Sequence, residues 1–503
     1  MRAWAPALLV AAYLLLGSAW VVANPPGASP DEYAHYLKAL AAGRGELYLR
    51  RRPPPPPDAA RLEPTRRWHL VTSRLVTIPP GLDPSPLLCT AFHPEVSARC
   101  TLARPGPGPS EGATIVGPYQ PFTYVVPGLL MRLGHDPASA TRWGRLGFWL
   151  PSAALLAVAV ALLWSGDGYS LLGIVVATTP MVLFMASTLS ANGIEIAAGV
   201  CMLAAIVRLG RAGGDEPWVW AAVGASGAVL ALARSTGILW VVLTSLLLPA
   251  LVGLRGCGRL LRRGGGVAAA AVVSVAGGLA VSLAWELSVQ PHPHHTLDAA
   301  VRGLPQELRE LPAVFEQAIG IFGWLDTRMA WPVYPVWKLL LVALILLAFL
   351  VGRRRQRWLL CGVLAASVGA TLLVATLNRP TGFGVQARYV LPFVTVVPLM
   401  AGEIVLANRS RLGALAPPGL VLLVAATAAV VQLWAWGTNA RRYAVGVRGP
   451  VLFLERAEWQ PPLGWWAWLA VAGVGATALV AAGVASVRAR PAAPAPPPSD
   501  RGP

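Results

Sequence analysis

The segment Pro30-Asp31-Glu32-Tyr33-Ala34-His35 sets adjacent carboxylates and an imidazole just beyond an apolar run from Ala3 to Ala23. A carboxylate there can take the proton of a hydroxyl nucleophile. An imidazole one helical turn beyond Asp31 can orient a carboxylate or touch an anion. Acid is scarce, with 23 of 503 residues Asp or Glu, and an ionisable group beside hydrocarbon is costly enough to point to function. Asp31 and Glu32 are therefore candidate catalytic residues, Asp31 the preferred base, and His35 a candidate substrate contact.

Other polar side chains gather between apolar runs that alternate threading places on the same side. Asn192 and Glu195 lie in a tight turn, Arg234 follows another run, and Trp324 and Asp326 belong to Gly320-Ile321-Phe322-Gly323-Trp324-Leu325-Asp326. Arg379 and the pair Arg388-Tyr389 stand in a further link between runs. Guanidinium groups can neutralise a departing phosphate in a partly dehydrated site, and Trp324 and Tyr389 offer faces to sugar or prenyl carbons. Each has a plainer reading. Ser29 or Asp31 suits a helix N-cap, Asn192 and Glu195 suit a turn, and Arg234 and Arg388 can snorkel to the interface. Their common sidedness favours a shared polar cavity.

The elements that must position them are membrane spans. With 55% apolar residues, 13% charged residues, 20 Trp and a mean hydropathy of +0.57, the chain is not a soluble globular domain. Runs of roughly 20 apolar residues, the length needed to cross hydrocarbon, recur throughout. They predict an all-α polytopic protein with about twelve transmembrane helices, near 3–23, 143–164, 170–189, 194–209, 217–233, 237–254, 266–289, 336–352, 359–377, 389–407, 417–437 and 463–487. Tyr119 to Leu133 is short and holds Pro121 and Pro127, so it is read as an interfacial helix. That parity puts the arginine-rich turns near Arg259 and Arg354, and both termini, on the cytoplasmic side.

The domain expectation is one integral membrane domain over 1–490, with long extracytoplasmic loops at 24–142 and 290–335 and a disordered cytoplasmic tail at 491–503. The first run is read as an uncleaved anchor. A formal net charge of +18 lies in short basic turns, which suits orientation and membrane lipids and not nucleic acid. Cys89 and Cys100 share the first outer loop, where a disulfide is expected. His292, His294 and His295 fit solvated positions better than zinc ligands, and no phosphate-binding Gly-rich motif occurs.

On the block Pro-Asp-Glu-x-x-His, on Asn192-Gly193-Ile194-Glu195, on Phe322 to Asp326 and on Arg388-Tyr389-Val390-Leu391-Pro392, the chain resembles a bacterial multispanning membrane family known only as a domain of unknown function. That family in turn resembles GT-C glycosyltransferases, which take sugar from a polyprenyl-phosphate carrier on the outer face of the membrane. The resemblance implies a GT-C-like fold, interfacial helices in the first outer loop, and an acid there serving as base or metal ligand. It implies a lipid-linked sugar donor, a glycan or protein acceptor, and a bacterial plasma-membrane location with the site extracytoplasmic. No complete ligand set matches, so a divalent cation is left open. A transporter or flippase of lipid-linked glycans, and a noncatalytic envelope-assembly partner, are the alternatives.

Overall fold

The structure, a computed structural model, describes residues 4–53, 62–102, 110–289, 297–412 and 419–488. The expectations for His292, His294 and His295, and for the tail at 491–503, lie outside the described residues.

The first long loop follows α1 (Trp4–Ala23) and holds α2 (Glu32–Gly43), β1 (Arg50–Arg51), α3 (Pro64–Thr72), β2 (Arg74–Thr77), β3 (Glu111–Thr114) and α4 (Val125–Met131). The three strands form an antiparallel sheet in the order β1-β2-β3. Next come α5 (Pro137–Leu163), α6 (Leu172–Ala177), α7 (Pro180–Ala186), α8 (Ala191–Ala212), α9 (Pro217–Ala233) and α10 (Gly237–Val289). Beyond them lie α11 (Leu297–Gly320), the short hairpin β4 (Ile321–Phe322) and β5 (Thr327–Arg328), α12 (Val333–Val351) and α13 (Arg354–Asn378). The described chain closes with α14 (Ala387–Val394), α15 (Val396–Ala407), α16 (Leu420–Val445) and α17 (Gly464–Arg488).

Local chemistry explains the punctuation. Asp136 caps α5 by accepting from the Ala138 and Ser139 amides, with Pro137 at the first helical position where its missing N–H costs nothing. Thr179 caps α7, and Pro180 cannot continue α6, so the two meet at 69°. The 53 residues of α10 would reach about 80 Å as one straight helix. Gly253 (φ 74) and Gly265 (φ 53) break it instead, leaving two apolar arms around the basic turn with Arg255, Arg259, Arg262 and Arg263.

The protein is an all-α polytopic membrane protein. Among the described residues, nine helices are long and apolar enough to cross a membrane, or ten if the bent α6–α7 pair is one span. The expected twelve also count the arms of α10 separately and include α9, which has 17 residues. The stretch read as an interfacial helix is a 3-10 turn followed by the seven-residue α4.

At the centre stands α8, buried along almost its whole length. A Cβ on Gly199 would lie 2.2 Å from the Pro392 carbonyl oxygen, so α14 rests directly on α8 and its first turn is fixed relative to the core. The helix ends then sort onto opposite faces. At one face Arg211 pairs with Glu403, Arg409 with Asp167, and Arg355 donates to the Ala250 and Leu251 carbonyls. At the other, the first long loop is tied down by Trp285 on Pro118, Asn439 on Asn24, and Arg442 on the carbonyls of Thr90, His93 and Val96.

Candidate functional site

Asp31 holds the N-cap position of α2 with a left-handed backbone (φ 59, ψ 11), and its side chain makes no capping hydrogen bond. Such a conformation is uncommon for a residue with a Cβ and costs of order 1–3 kcal/mol. The carboxylate instead faces Arg388 of α14, which donates from Nη2 at 2.6 Å. Burial pushes the Asp31 carboxyl up, but Arg388 above all, with His35 and His69, brings it below the usual range.

Glu32 goes the other way, because neighbouring helical residues point about 100° apart. It is buried and takes both prongs of Arg145, at 2.7 Å from Nε and 2.6 Å from Nη2. The Gly27 and Leu189 amides donate to it at 2.8 and 3.1 Å. Arg145 spends its remaining donors on the Val21, Asn24 and Pro25 carbonyls. Expected beside Asp31 as a catalytic carboxylate, Glu32 is thus turned away from the cavity and holds the α1–α2 corner to α5.

His35, one turn past Asp31, is also buried. Its Nδ1 lies 2.7 Å from the Tyr124 hydroxyl and its Nε2 3.2 Å from Ser190 Oγ. Ser190 Oγ already accepts from the Asn192 backbone N–H and side-chain amide. A hydroxyl has two acceptor sites and one proton, so Ser190 donates to Nε2 and the Nδ1–H donates to Tyr124. Burial, opposed by Asp31 and reinforced by Arg388 and Arg234, pushes this imidazole down to about 3.

Arg234, between α9 and α10, donates to Asn192 Oδ1 at 2.6 Å and to Glu195 Oε2 at 3.2 Å. Asn192 and Glu195 sit three apart in the first turn of α8, hence on one helix face. The Thr236 hydroxyl fixes the other Glu195 oxygen at 2.6 Å. The guanidinium carbon of Arg234 stands 5.3 Å from the Tyr119 ring centre and 5.0 Å from that of Tyr389, and Arg388 is 5.2 Å from the same Tyr389 ring. Both cations therefore face a common aromatic surface.

A cavity of about 360 Å³ opens over these groups, lined among others by Asp31, Tyr119, Arg234, Trp324, Arg388 and Tyr389. The Nε atoms of Arg234 and Arg388 are buried with no hydrogen-bond partner among the described residues. Trp324 is held on the rim by its Nε1 bond to the Gly27 carbonyl and packs against Phe92. His35, Asn192 and Glu195 stand behind the lining residues and not among them. Asp326 turns to Arg442 at 3.4 Å, and Arg379 is engaged outside the cavity with Glu307 at 3.7 Å. Cys89 and Cys100 form a disulfide. No group of three His, Cys, Asp or Glu side chains with metal-binding geometry occurs among the described residues.

The model of a family described as "Predicted membrane protein (DUF2142)" matches residues 14–397. The chain belongs to this family. In this DUF2142 protein the match takes in Asp31, Arg234, Arg388 and Tyr389, so the whole polar cavity is built from the family's region. The family description names no reaction. No curated protein and no solved structure matches the chain.

Several residues of the site escaped the sequence reading. Arg145 had a visible signal, an arginine within an apolar helix. Tyr119 and Tyr124 lie in an apolar stretch whose composition carries no functional signal, and Ser190 carries none beyond the turn it opens. Lys38, buried with its Nζ 2.8 Å from the Gly117 carbonyl, showed no signal beyond an α2 sequence too apolar for a solvated helix.

Proposed function

We propose that this protein is a glycosyltransferase that moves a sugar from a polyprenyl-phosphate donor to an envelope acceptor on the outer face of a bacterial plasma membrane. The observation that carries the reading is the shared cavity: one carboxylate, Asp31, faces two guanidinium groups with unspent Nε donors at the end of a membrane bundle. The basic turns at the opposite face agree with a cytoplasmic location for that end.

In the proposed step the acceptor oxygen attacks the anomeric carbon, and the bond from that carbon to the phosphate oxygen breaks. Asp31 takes the acceptor's hydroxyl proton. The polyprenyl phosphate leaves with the bond's electron pair, its charge met by Arg388 and Arg234. As paired with Arg388, Asp31 is a weak base, since a general base works best with its pKa near the working pH. A donor phosphate that draws the Arg388 guanidinium to itself relieves that depression. Donor binding thus raises the basicity of the group that must then accept a proton.

The test is transfer by the purified, reconstituted protein from polyprenyl-phosphate sugars to envelope acceptors, comparing wild type with Asp31→Asn at equal yield. Transfer lost in the variant supports the reading. Transfer that survives Asp31→Asn overturns the base assignment. The broken helix α6–α7 favours a second reading as a flippase, since interrupted helices are a transporter device. Lipid-linked glycan crossing proteoliposome membranes without glycosyl transfer would select it.

A further inference from the structure

A second, larger cavity of about 800 Å³ lies beside the polar one. Its side walls are α12 and α13, with Leu341 and Ile345 on one and Leu364 and Val368 on the other. α15 and α14 form the back, and Phe315 of α11 is among the residues of the roof. α12 packs mainly on α15, α13 on α15, α11 and α14, and the two barely on each other. The space between them therefore faces the hydrocarbon sideways, with the lining residues Trp331 and Val368 77% and 46% exposed.

The two cavities share α14. Arg388 and Tyr389 line the polar one, and Val390, Leu391 and Val394 the apolar one. From Arg388 to Leu391 the helix rises only about 4.5 Å. A small gap opens beside the polar cavity, lined by Pro30 and Arg388 and by Gln317 and Ile321 of the α11–β4 junction. The next residues inward, Ala318 and Ile319, already belong to the apolar cavity. An anion-receiving cavity joined within one helical turn to an apolar one open to the bilayer matches a molecule with a phosphate head and a hydrocarbon tail.

We infer that the cavity between α12 and α13 seats the hydrocarbon chain of a lipid phosphate whose phosphate lies on Arg388. The inference rests on the donor reading above and extends it to the chain. Lys338, the one charged residue in α12, stands at this cavity with its Nζ 6.0 Å from the Phe315 ring, and it marks the entry at headgroup depth. The chain's chemistry is apolar and extended, shared by polyprenyl phosphates and by glycerophospholipids; one apolar cavity beside Arg388 favours a single long chain over the paired acyl chains of a glycerophospholipid.

Native mass spectrometry of the full chain with undecaprenyl phosphate, farnesyl phosphate and phosphatidylglycerol tests this. Wild type should hold undecaprenyl phosphate more tightly than either other lipid. Leu341→Trp and Leu364→Trp, which fill the cavity from opposite walls, should weaken undecaprenyl phosphate about tenfold, the loss expected when roughly two methylene groups are shut out. Should either variant misfold, a diazirine-bearing undecaprenyl phosphate should label α12 and α13 of the unaltered protein. Equal retention of all lipids, phosphatidylglycerol bound best, or labelling confined to other helices would overturn the inference. Chain-dependent binding with no sugar transfer from any donor would instead remove the glycosyltransferase reading and leave the lipid site standing.

Discussion

Arg388 reaches back 357 positions to place its Nη2 2.6 Å from the Asp31 carboxylate, while its Nη1 donates to the Pro30 carbonyl at 3.3 Å. The two residues stand on separate helices, α2 and α14, and meet because α14 is seated on α8 and α2 is clamped to α5.

Asp31→Asn should lower transfer by a factor of about 10²–10⁴, the usual contribution of a general base. Because Arg388 depresses the carboxyl, its folded-state value lies below the unfolded one near 3.8. The ionised form's stabilising contribution is then full above that unfolded value and is lost as pH falls through the depressed one. The free enzyme's kcat/KM should accordingly show no limb from Asp31 near neutrality. A limb that disappears in the Asn variant and lies above the ordinary carboxylate range would contradict this.

Glu32→Gln should act on stability and not on chemistry. Removing one partner of a fully buried ion pair costs about 3–5 kcal/mol, and Glu32 and Arg145 are both buried. A thermal melt in detergent should show a large fall for Glu32→Gln and for Arg145→Met, with the double variant less destabilised than the sum. Unchanged melting with abolished transfer would mean that Glu32 takes part in the reaction.

His35 should stay neutral throughout the pH range near 7. Its imidazole is pushed down to about 3, below an ordinary value of 6.5. Between those values the unfolded chain binds the proton and the folded one does not, so stability falls as pH drops through that window. His35→Gln should flatten the slope. An imidazole resonance of His35 titrating near 6.5 in the folded protein would refute the Ser190-to-His35-to-Tyr124 proton order.

Lys38 gives a window of the same sign at higher pH. Burial, with help from Arg74, lowers its ammonium to about 7 from 10.5. The folded state therefore carries a cost below pH 7 that is relieved as pH rises toward 10.5. Wild-type melting should rise over that interval once other groups are matched by comparison with Lys38→Met, which removes the charge and should be at least as stable near neutrality. A Met variant that melts lower at pH 7 would show that the Gly117 contact outweighs the burial of charge.

The sequence by itself determined the class of this protein and the roster of polar residues available to its site. Apolar runs of spanning length dictate an all-α membrane bundle because a backbone in hydrocarbon must satisfy its own hydrogen bonds, and the end of a run dictates where polar side chains are left. Asp31, Arg234, Arg388, Tyr389 and Trp324 were legible in this way, as was the loop holding Cys89 and Cys100. Tertiary structure alone decided which of them share a cavity. Asp31 and Glu32 are indistinguishable as neighbouring acids in sequence, but a left-handed turn aims one at Arg388 and helical geometry buries the other against Arg145. Asp326 and Arg379 had the right types on the right side of the bundle, yet Arg442 and Glu307 engage them away from the cavity. Pairing across hundreds of residues depends on how helices pack, and one-dimensional spacing carries no record of it.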